Sequence, residues 1–322
     1  MNNLLEFERP VIALEEKIRE LEALADENGM DLSEEIAILN IKLEDMKKHV
    51  YKSLTPWQKV KISRLPERPT TLEYIDRMIS DFIEFHGDRL YGDDCAIVGG
   101  IGALEGIPVT VIGHQKGKDT KENIKRNFGM PHPEGYRKAL RLMKQAEKFH
   151  RPIIMFIDTP GAYCGIGAEE RGQGEAIATN LWEMCRLKTP IIVVVIGEGG
   201  SGGALALGIG DKVCMLEHSI YSVISPEGLS SILWKDASLA ERAAEMMKLT
   251  AQDLLQMNII DGIIEEPLGG AHKSIEIVSK QIKNYVVKEL KELLKLNTDT
   301  LLQTRYSKIR KIGQWEEDNA VS

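Results

Sequence analysis

Two glycine-rich segments carry the pattern in this sequence that could do chemistry. The first, DTPGAYCG at residues 158–165, and the second, GEGGSGGA at residues 197–204, each follow an apolar run and precede a helix-like stretch. Backbone N–H groups at the start of a helix have no partner inside it, and the helix dipole favours negative charge there. The pattern therefore predicts two anion-binding turns, with tight strand-to-helix turns that need glycine as the purely structural alternative.

The second segment also fits a serine nucleophile. Gly199-x-Ser201-x-Gly203 matches the nucleophile elbow of α/β hydrolases, in which the serine stands on a sharp turn between a strand and a helix. The acid and the histidine of such a triad follow the serine in the chain, and the available residues are Asp211, Asp236, Asp253, Asp261 and His272. A serine hydrolase requires the histidine to lie beside Ser201, which the spacing alone does not establish.

Two nucleotide-binding patterns overlap the same segments, and both are weak. The GxGxxG of residues 197–202, with Glu217 further on, matches the dinucleotide fingerprint, but a glycine-dense loop matches this pattern by chance. The DxxG of residues 158–161 is similar to a GTPase motif, which needs a phosphate-binding loop upstream. Residues 113–118 are one residue too short for that loop, and Asp119 stands where a hydroxyl is required.

The composition limits the classes of function. The chain has 322 residues, of which 43% are apolar and 28% charged, and its net charge of −8 argues against general binding to nucleic acid or to anionic membranes. No Cys-x-x-Cys pair, secretory signal or apolar run of about 20 residues is present, which predicts a cytoplasmic protein without a zinc ribbon. The four cysteines are Cys95, Cys164, Cys185 and Cys214.

Residues 1–69 are predicted to form an N-terminal helical hairpin and a connector. Apolar residues recur at helical spacing in two runs, before and after Asn28-Gly29, and Ser33 is placed to cap the second helix. Two apolar seams of this kind indicate packing or assembly. The proline-punctuated, basic stretch that follows fits a connector. The residues of the two seams are Val11, Leu14, Ile18, Leu21 and Ala25, and then Ile36, Leu39, Leu43, Met46 and Val50.

Residues 70–298 are predicted to form one α/β domain. A short helix begins at Leu72, and two strands, 96–103 and 108–112, meet at a tight turn. Apolar runs then alternate with helix-like stretches, which favours largely parallel strands buried on both faces. The runs cover residues 153–157, 191–196, 212–216, 221–224 and 259–264, with helices expected around Tyr136, over 169–186 and over 272–296. Residues 299–322 are expected to be a C-terminal tail, disordered over 314–322.

A cluster of basic residues lies between these elements, over residues 116–126. Two interpretations stay open for it. The first is a solvated loop, and the second is a surface that faces a phosphate-bearing ligand. Its basic residues are Lys116, Lys118, Lys121, Lys125 and Arg126.

Several longer motifs resemble one family, the α subunit of bacterial-type acetyl-coenzyme A carboxylase carboxyltransferase. They are FIDTPGAY at 156–163, GAEERGQ at 167–173, GEGGSGGA at 197–204 and YSVISPEG at 221–228, with RNFGM at 126–130, PEGYRK at 133–138 and EPLGGAH at 266–272. The resemblance covers nearly the whole chain, including the hairpin. One departure is Cys164, where many members of the family are expected to have proline.

The resemblance implies a crotonase-like fold, a spiral of ββα units. It also implies a partner, the zinc-ribbon-bearing β subunit, in an α2β2 heterotetramer. The reaction implied is transfer of a carboxyl group from carboxybiotin, held on the biotin carboxyl carrier protein, to acetyl-CoA, giving malonyl-CoA for fatty-acid synthesis. ATP is used by a separate biotin carboxylase component, and no metal is expected in this chain.

By position in the motifs, Gly202 and Gly203 are expected to supply the oxyanion hole that faces biotin. Gly161 and Ala162, with Gly200 and Ser201, are expected to shape the substrate site. A Cβ at Gly202 or Gly203 is predicted to intrude on the space of the substrate oxygen and to penalise any positive φ in the turn. The division of the CoA site between the two subunits is left open, and so is the serine hydrolase alternative at Ser201.

Overall fold

The N-terminal hairpin is present in the computed structural model, which describes residues 5–313. Helices α1 (Arg9–Asn28) and α2 (Ser33–Lys52) pack through Val11, Ile18 and Leu43, as the apolar spacing predicts. The cap prediction for Ser33 is wrong in detail. Leu32 holds the cap position, and the Ser33 hydroxyl instead donates a 2.7 Å hydrogen bond to Asp31.

The predicted connector contains a further helix, α3 (Pro56–Ser63). Its start is fixed by Thr55, whose hydroxyl accepts from the Gln58 N–H at 3.2 Å while the Gln58 side chain accepts from the Thr55 N–H at 2.8 Å. This reciprocal capping explains why a proline-rich segment folds as a helix, since proline is well tolerated in the first helical turn. Helix α4 (Thr71–Met78) follows, close to the helix predicted from Leu72.

An eight-stranded sheet forms the centre of the molecule, and its strands run in the order β1-β2-β3-β4-β5-β6-β8, with β7 paired to β5. The three strands at one edge are antiparallel, and pairing is parallel from β3 onward. The strands are β1 (Ser80–Glu84), β2 (Ile97–Leu104), β3 (Ile107–His114), β4 (Ile153–Thr159), β5 (Ile191–Gly200), β6 (Lys212–Leu216), β7 (Ile220–Ser222) and β8 (Gly262–Ile264). The α/β prediction is confirmed, whereas β1 was not predicted.

Helices cover both faces of this sheet. Successive residues of β4 belong to different cores: Ile154 and Phe156 pack in one, and Met155 and Ile157 in the other. A strand buried on both faces needs apolar residues at every position, which explains the continuous runs in the sequence. The remaining helices are α5 (Thr120–Lys125), α6 (Pro133–Lys148), α7 (Ile166–Glu170), α8 (Gln173–Met184), α9 (Ser201–Leu205), α10 (Pro226–Trp234), α11 (Ala240–Met247), α12 (Ala251–Gln256), α13 (Ile275–Leu293) and α14 (Thr298–Arg310).

Two helix predictions need correction. The single helix expected over 169–186 is interrupted between α7 and α8. Gly172, which lies there, has a φ of 79°, in the left-handed region that an α-helix does not contain. The segment expected to be a tail contains α14, and the buried Arg305 of this helix bonds to Asp211 at 2.7 and 2.8 Å. The predicted disorder over 314–322 lies outside the described residues. Within residues 5–313, no helix is long and apolar enough to cross a membrane.

Candidate active site

The two glycine segments meet at the carboxyl ends of β4 and β5, which are adjacent parallel strands. Open α/β sheets bind ligands at this edge. Here the segments line one cleft of about 430 Å³. Of the sequence-predicted site residues, Gly161, Ala162, Ser201, Gly202 and Gly203 line this cleft together. The sixth, Gly200, lies beside the backbone of Pro160.

The two backbones approach so closely that side chains are excluded between them. A Cβ on Gly200 would lie 2.2 Å from the Pro160 carbonyl oxygen, and a Cβ on Gly203 would lie 2.4 Å from the Ala162 nitrogen. Gly202 differs, because the nearest atom to its Cβ position is a methyl of Ile177 at 3.7 Å. A Cβ on Gly203 would therefore strike the other loop, and its intrusion on the space of a substrate oxygen stays a prediction.

Backbone strain lies at Ser201 and not at the two predicted glycines. Ser201 has a φ of 54°, in the left-handed region, whereas Gly202 and Gly203 are not among the positive-φ residues of the described chain. Non-glycine residues seldom adopt this conformation, and such strain clusters at functional sites. The exposed Ser201 thus makes the sharp turn from β5 into α9.

The serine of this turn lacks the partners of a hydrolase triad. Each candidate acid serves another contact: Asp211 pairs with Arg305, Asp261 accepts from Lys308 at 2.6 Å, and the two others cap helical turns. The histidine at the back of the second loop, His114, bonds to the Gly203 carbonyl. Among residues 5–313, no hydrogen bond joins a histidine to Ser201. The two acids in caps are Asp236 and Asp253.

Side-chain hydrogen bonds hold the first loop. The Thr159 hydroxyl accepts from the Gly161 N–H at 3.0 Å and donates to the Gly161 carbonyl at 2.8 Å. Gln173 donates from its amide nitrogen to the carbonyls of Pro131 and Tyr163, each at 2.8 Å. The Tyr163 ring also packs on His132, with 4.3 Å between ring centroids. These contacts fix the loop that carries Ala162.

Ion pairs lie at the start of the two loops. Lys116 lies 2.6 Å from Asp158, and Arg64 lies 2.7 Å from Glu198 and 2.6 Å from Glu227. The Asp158 carboxylate also accepts from the Glu198 N–H at 2.9 Å. Because Asp158 begins the first loop and Glu198 lies in the second, this pair ties the two loops together.

A further ion pair, between Arg68 and Glu266, is buried in the protein. Arg68 lies 2.8 Å from Glu266 and also donates to the Ile196 carbonyl at 2.8 Å. Burial alone would raise the pKa of Glu266, but the charge and hydrogen bonds of Arg68 lower it to about 2. The carboxylate therefore stays ionised and also accepts from the His218 N–H at 3.0 Å. This pair anchors the end of β5 that leads to the second loop.

The basic cluster over 116–126 is largely engaged within the protein. Lys116 pairs with Asp158, Lys118 lies 2.8 Å from Glu73, and Arg126 donates to the Cys95 carbonyl at 3.0 Å. The segment is also partly helical, as α5, and does not form the loop of the first interpretation. The interpretation as a loop is therefore wrong for the residues of α5, and the interpretation as a surface that faces a phosphate-bearing ligand stays a prediction.

Comparison with known proteins identifies the family of this chain. Residues 4–313 match the family described as "Acetyl co-enzyme A carboxylase carboxyltransferase-like". The subunit alpha of acetyl-coenzyme A carboxylase carboxyl transferase from Alkaliphilus oremlandii is 72% identical over 316 residues, covering 98% of this chain and all (100%) of that protein. The protein of the same name from Halalkalibacterium halodurans is 61% identical over 319 residues, covering 99% of this chain and 98% of its own.

Solved structures of carboxyltransferases and a decarboxylase share the fold. Transcarboxylase 12S, with methylmalonyl-coenzyme A bound, matches with a TM-score of 0.55 and 15% identity over 79% of this chain, which spans 44% of that chain. A Pseudomonas malonate decarboxylase heterodimer matches with a TM-score of 0.54 and 15% identity over 67% of this chain and 89% of its own.

The family match and the fold thus define a carboxyltransferase-type protein with a crotonase-like fold. The chain belongs to the acetyl-coenzyme A carboxylase carboxyltransferase family. The family and the fold predicted from the glycine-loop motifs are confirmed. The hydrolase alternative has no support from these comparisons or from the contacts of Ser201.

Sequence reasoning missed His114, Gln173 and Arg64, which hold the loops without belonging to them. His114 ends β3, Gln173 begins α8, and Arg64 follows α3. His114 and Gln173 do fall near or within quoted motifs, but their type and spacing give no local signal of contact with a glycine loop. Only the folded arrangement of strands and helices brings them into contact with the loops.

Proposed function

We propose that this chain is the α subunit of an acetyl-coenzyme A carboxylase carboxyltransferase. It transfers the carboxyl group of carboxybiotin, carried on a separate protein, to acetyl-CoA and yields malonyl-CoA for fatty-acid synthesis. The observation that carries this proposal is the convergence of two glycine loops on one cleft. Family membership and the names of its relatives support the same reaction.

The cleft suits a reaction in which an oxygen atom gains negative charge. Gly202 and Gly203 lie in the first turn of α9, where N–H groups have no acceptor inside the helix. We assign these two N–H groups as the oxyanion donors, and Gly161, Ala162, Gly200 and Ser201 as the residues that shape the hole. Preorganised donors of this kind typically contribute about 3 kcal/mol each to transition-state stabilisation.

The residues present fit a biotin head group. Carboxybiotin supplies an activated carboxyl group and a ureido oxygen that can accept hydrogen bonds. The cleft of about 430 Å³ combines the backbone of the two loops with apolar wall residues, Ile177 and Val223. Backbone donors can hold the oxygen while the apolar wall excludes water, which strengthens these hydrogen bonds.

A partner subunit is part of the proposal. Exposed apolar side chains lie at the cleft: Val223, which lines it, is 81% exposed, and so is Ile166, which lies in the chain between the lining residues Cys164 and Glu169. Exposed apolar groups of this kind are typical of interaction surfaces. We propose that the zinc-ribbon-bearing β subunit covers this face and binds acetyl-CoA in an α2β2 heterotetramer. Biotin carboxyl carrier protein and biotin carboxylase complete the system, in the cytoplasm.

The test is the reverse reaction. The full chain is combined with its β subunit, and malonyl-CoA-dependent carboxylation of free biotin is measured, with each subunit alone as the control. We expect turnover only from the mixture. Turnover by this chain alone at a comparable rate would contradict the two-subunit proposal. Ester hydrolysis that Ser201→Ala abolishes would instead support the hydrolase.

A further inference from the structure

A buried histidine lies directly behind the second glycine loop. His114 is the last residue of β3, and its side chain is fully buried. Its Nε2 lies 3.2 Å from the carbonyl oxygen of Gly203. A carbonyl oxygen only accepts hydrogen bonds, so Nε2 must carry the hydrogen. The neutral Nε2–H tautomer is therefore the form that this contact selects.

The imidazole supplies the hydrogen-bond donor that the helix after the loop does not give to the Gly203 carbonyl. Helix α9 is short, and the Ala206 N–H bonds to the Gly202 carbonyl at 2.9 Å while the Leu207 N–H bonds to the Ala204 carbonyl at 3.1 Å. The Gly203 carbonyl lies between these two acceptors and is taken by His114. Without this bond a buried carbonyl would lose its partner, at a position where glycine allows the backbone to rotate.

The histidine itself is held rigidly. The Thr71 hydroxyl donates to the His114 backbone carbonyl, and Lys116, two residues further on, pairs with Asp158. Burial lowers the pKa of His114 to about 4, although the nearby Asp158 charge opposes this shift. The ring thus remains a neutral donor near pH 7. It does not face the cleft, whose lining does not include it.

We infer that His114 is a positioning residue for the oxyanion hole: its Nε2–H holds the Gly203 carbonyl and so orients the backbone that presents the Gly202 and Gly203 N–H groups. The inference rests on the proposed function, because only carboxyl transfer gives those N–H groups their role. Misplacement of a catalytic group by about 1 Å can cost on the order of 100-fold in rate.

Substitutions separate positioning from packing. His114→Leu removes the donor, and His114→Gln retains a side-chain N–H that can reach the carbonyl. With the β subunit present, we expect His114→Leu to lower kcat by about 10- to 100-fold with little change in KM for either substrate. His114→Gln should recover most of this loss. The matched control is Ile112→Val, which removes a buried methyl two residues earlier on the same face of β3 and should leave kcat unchanged.

A second readout does not depend on activity. In the full chain labelled with ¹⁵N-histidine, the ring of His114 should show the Nε2–H tautomer at pH 7 and remain neutral down to about pH 5, as its lowered pKa predicts. The Nδ1–H tautomer at pH 7 would overturn the inference, because Nε2 would then have no hydrogen to donate to the Gly203 carbonyl. Equal kcat losses in His114→Leu and Ile112→Val would overturn it as well.

The two proposals can fail separately. If the wild-type pair of subunits transfers no carboxyl group, the proposed function fails, and the inference about positioning fails with it. If the wild-type pair is active and His114→Leu retains its kcat, only the inference fails. If His114→Leu does not fold, the kcat of His114→Gln and the ring tautomer decide the question.

Discussion

The two glycine loops of the cleft are held in place by opposite means. The first loop, residues 158–165, is fixed by side chains that bond to its backbone, chiefly Thr159 and Gln173. The second, residues 197–204, is fixed by the lack of side chains at Gly200 and Gly203, which lets it lie against the first. Removing a side chain that bonds to the first loop should therefore displace that loop, and adding a side chain to Gly200 or Gly203 should displace the second.

The largest loss is expected from one added methyl group, in Gly203→Ala. Its Cβ would lie 2.4 Å from the Ala162 nitrogen and 2.5 Å from the Gly161 carbonyl carbon, and backbone atoms cannot move aside as a flexible side chain can. We expect kcat of the assembled enzyme to fall about 100-fold or more, because both loops must shift. The free energy of unfolding should fall by about 1–3 kcal/mol, as in overpacked cores.

The matched variant is Gly202→Ala. Here the added Cβ meets only Ile177 methyl groups, at 3.7 and 3.8 Å, which is ordinary contact. Urea unfolding should show a free energy of unfolding no lower than that of the wild type, since alanine is preferred to glycine in a helix by about 1 kcal/mol. Equal destabilisation by the two substitutions would show that the close approach of the loops is not what requires glycine.

The next largest effect is expected from removal of atoms, in Gln173→Ala. This change removes the side-chain donor to the Tyr163 carbonyl and one of the two donors to the Pro131 carbonyl, which keeps the Tyr163 N–H at 3.0 Å. Buried groups that lose a partner cost about 1–3 kcal/mol each. We expect a kcat loss of about 10-fold, since the first loop keeps the Thr159 contacts. Thermal unfolding and the transfer assay measure the two effects.

Asn180→Ala is the control for that change. Asn180 lies on the same helix and donates to the carbonyls of Tyr136 and Ala206, at 3.1 and 3.3 Å. It lies outside both loops. A similar loss of stability with nearly normal kcat is expected, and a kcat loss equal to that of Gln173→Ala would contradict the assigned bracing role.

A smaller effect is expected on the free energy of unfolding as the pH is lowered. In the folded protein burial lowers the pKa of His114 from its ordinary 6.5 to about 4, with Asp158 opposing and Lys116 adding to the shift. Between these values the unfolded chain binds the proton and the folded chain does not, so the stability due to this group falls as pH falls. From pH 7 to pH 5 the loss is about 2 kcal/mol.

The variant His114→Gln isolates this contribution. Its free energy of unfolding should fall by about 2 kcal/mol less than that of the wild type over the same range, because the titrating group is gone. His218 and His272, whose pKa values are also lowered mainly by burial, remain in both proteins. Identical pH dependence in the two proteins would mean that His114 takes up its proton over the same pH range in the folded and the unfolded chain.

Most of the sheet follows from local pattern. Continuous apolar runs mark strands buried on both faces, and β4 and β5 begin at the first residues of the predicted runs. Strand β1 has an exposed and partly buried pattern without a clear apolar run, so the sequence gives little signal for it. Helix α3 depends on a reciprocal cap between Thr55 and Gln58, which proline-rich composition concealed.

The sequence pattern predicted which glycines line the cleft, but not the contacts that require glycine there. Loop position after a buried strand identified Gly202 and Gly203, yet the expected positive φ lies one residue earlier, at Ser201. The reason for glycine at 203 is a contact with Ala162, and the reason for His114 is a contact with Gly203. Both contacts join residues that are distant in the sequence, so the local spacing of residues does not predict them.

The smallest effects are expected at Ser201, which makes the turn of the second loop. Its φ of 54° costs a non-glycine residue about 1–2 kcal/mol, so Ser201→Gly should relieve strain in the folded state. Glycine also gives the unfolded chain more freedom, at about 0.5–1 kcal/mol, and the net change in stability should be within about 1 kcal/mol.

Activity at this position completes the comparison of the two loops. Ser201→Ala keeps the strained turn and removes only the hydroxyl, while Ser201→Gly keeps the backbone donors of the next two residues in place. Both variants should retain kcat within about 10-fold when assembled with the β subunit, because in the proposed mechanism backbone N–H groups, not the serine hydroxyl, stabilise the oxyanion. A true nucleophile would lose several orders of magnitude on either change. Loss on that scale in Ser201→Ala, with the fold intact, would support the hydrolase alternative. The second loop would then act through a side chain and not through its backbone.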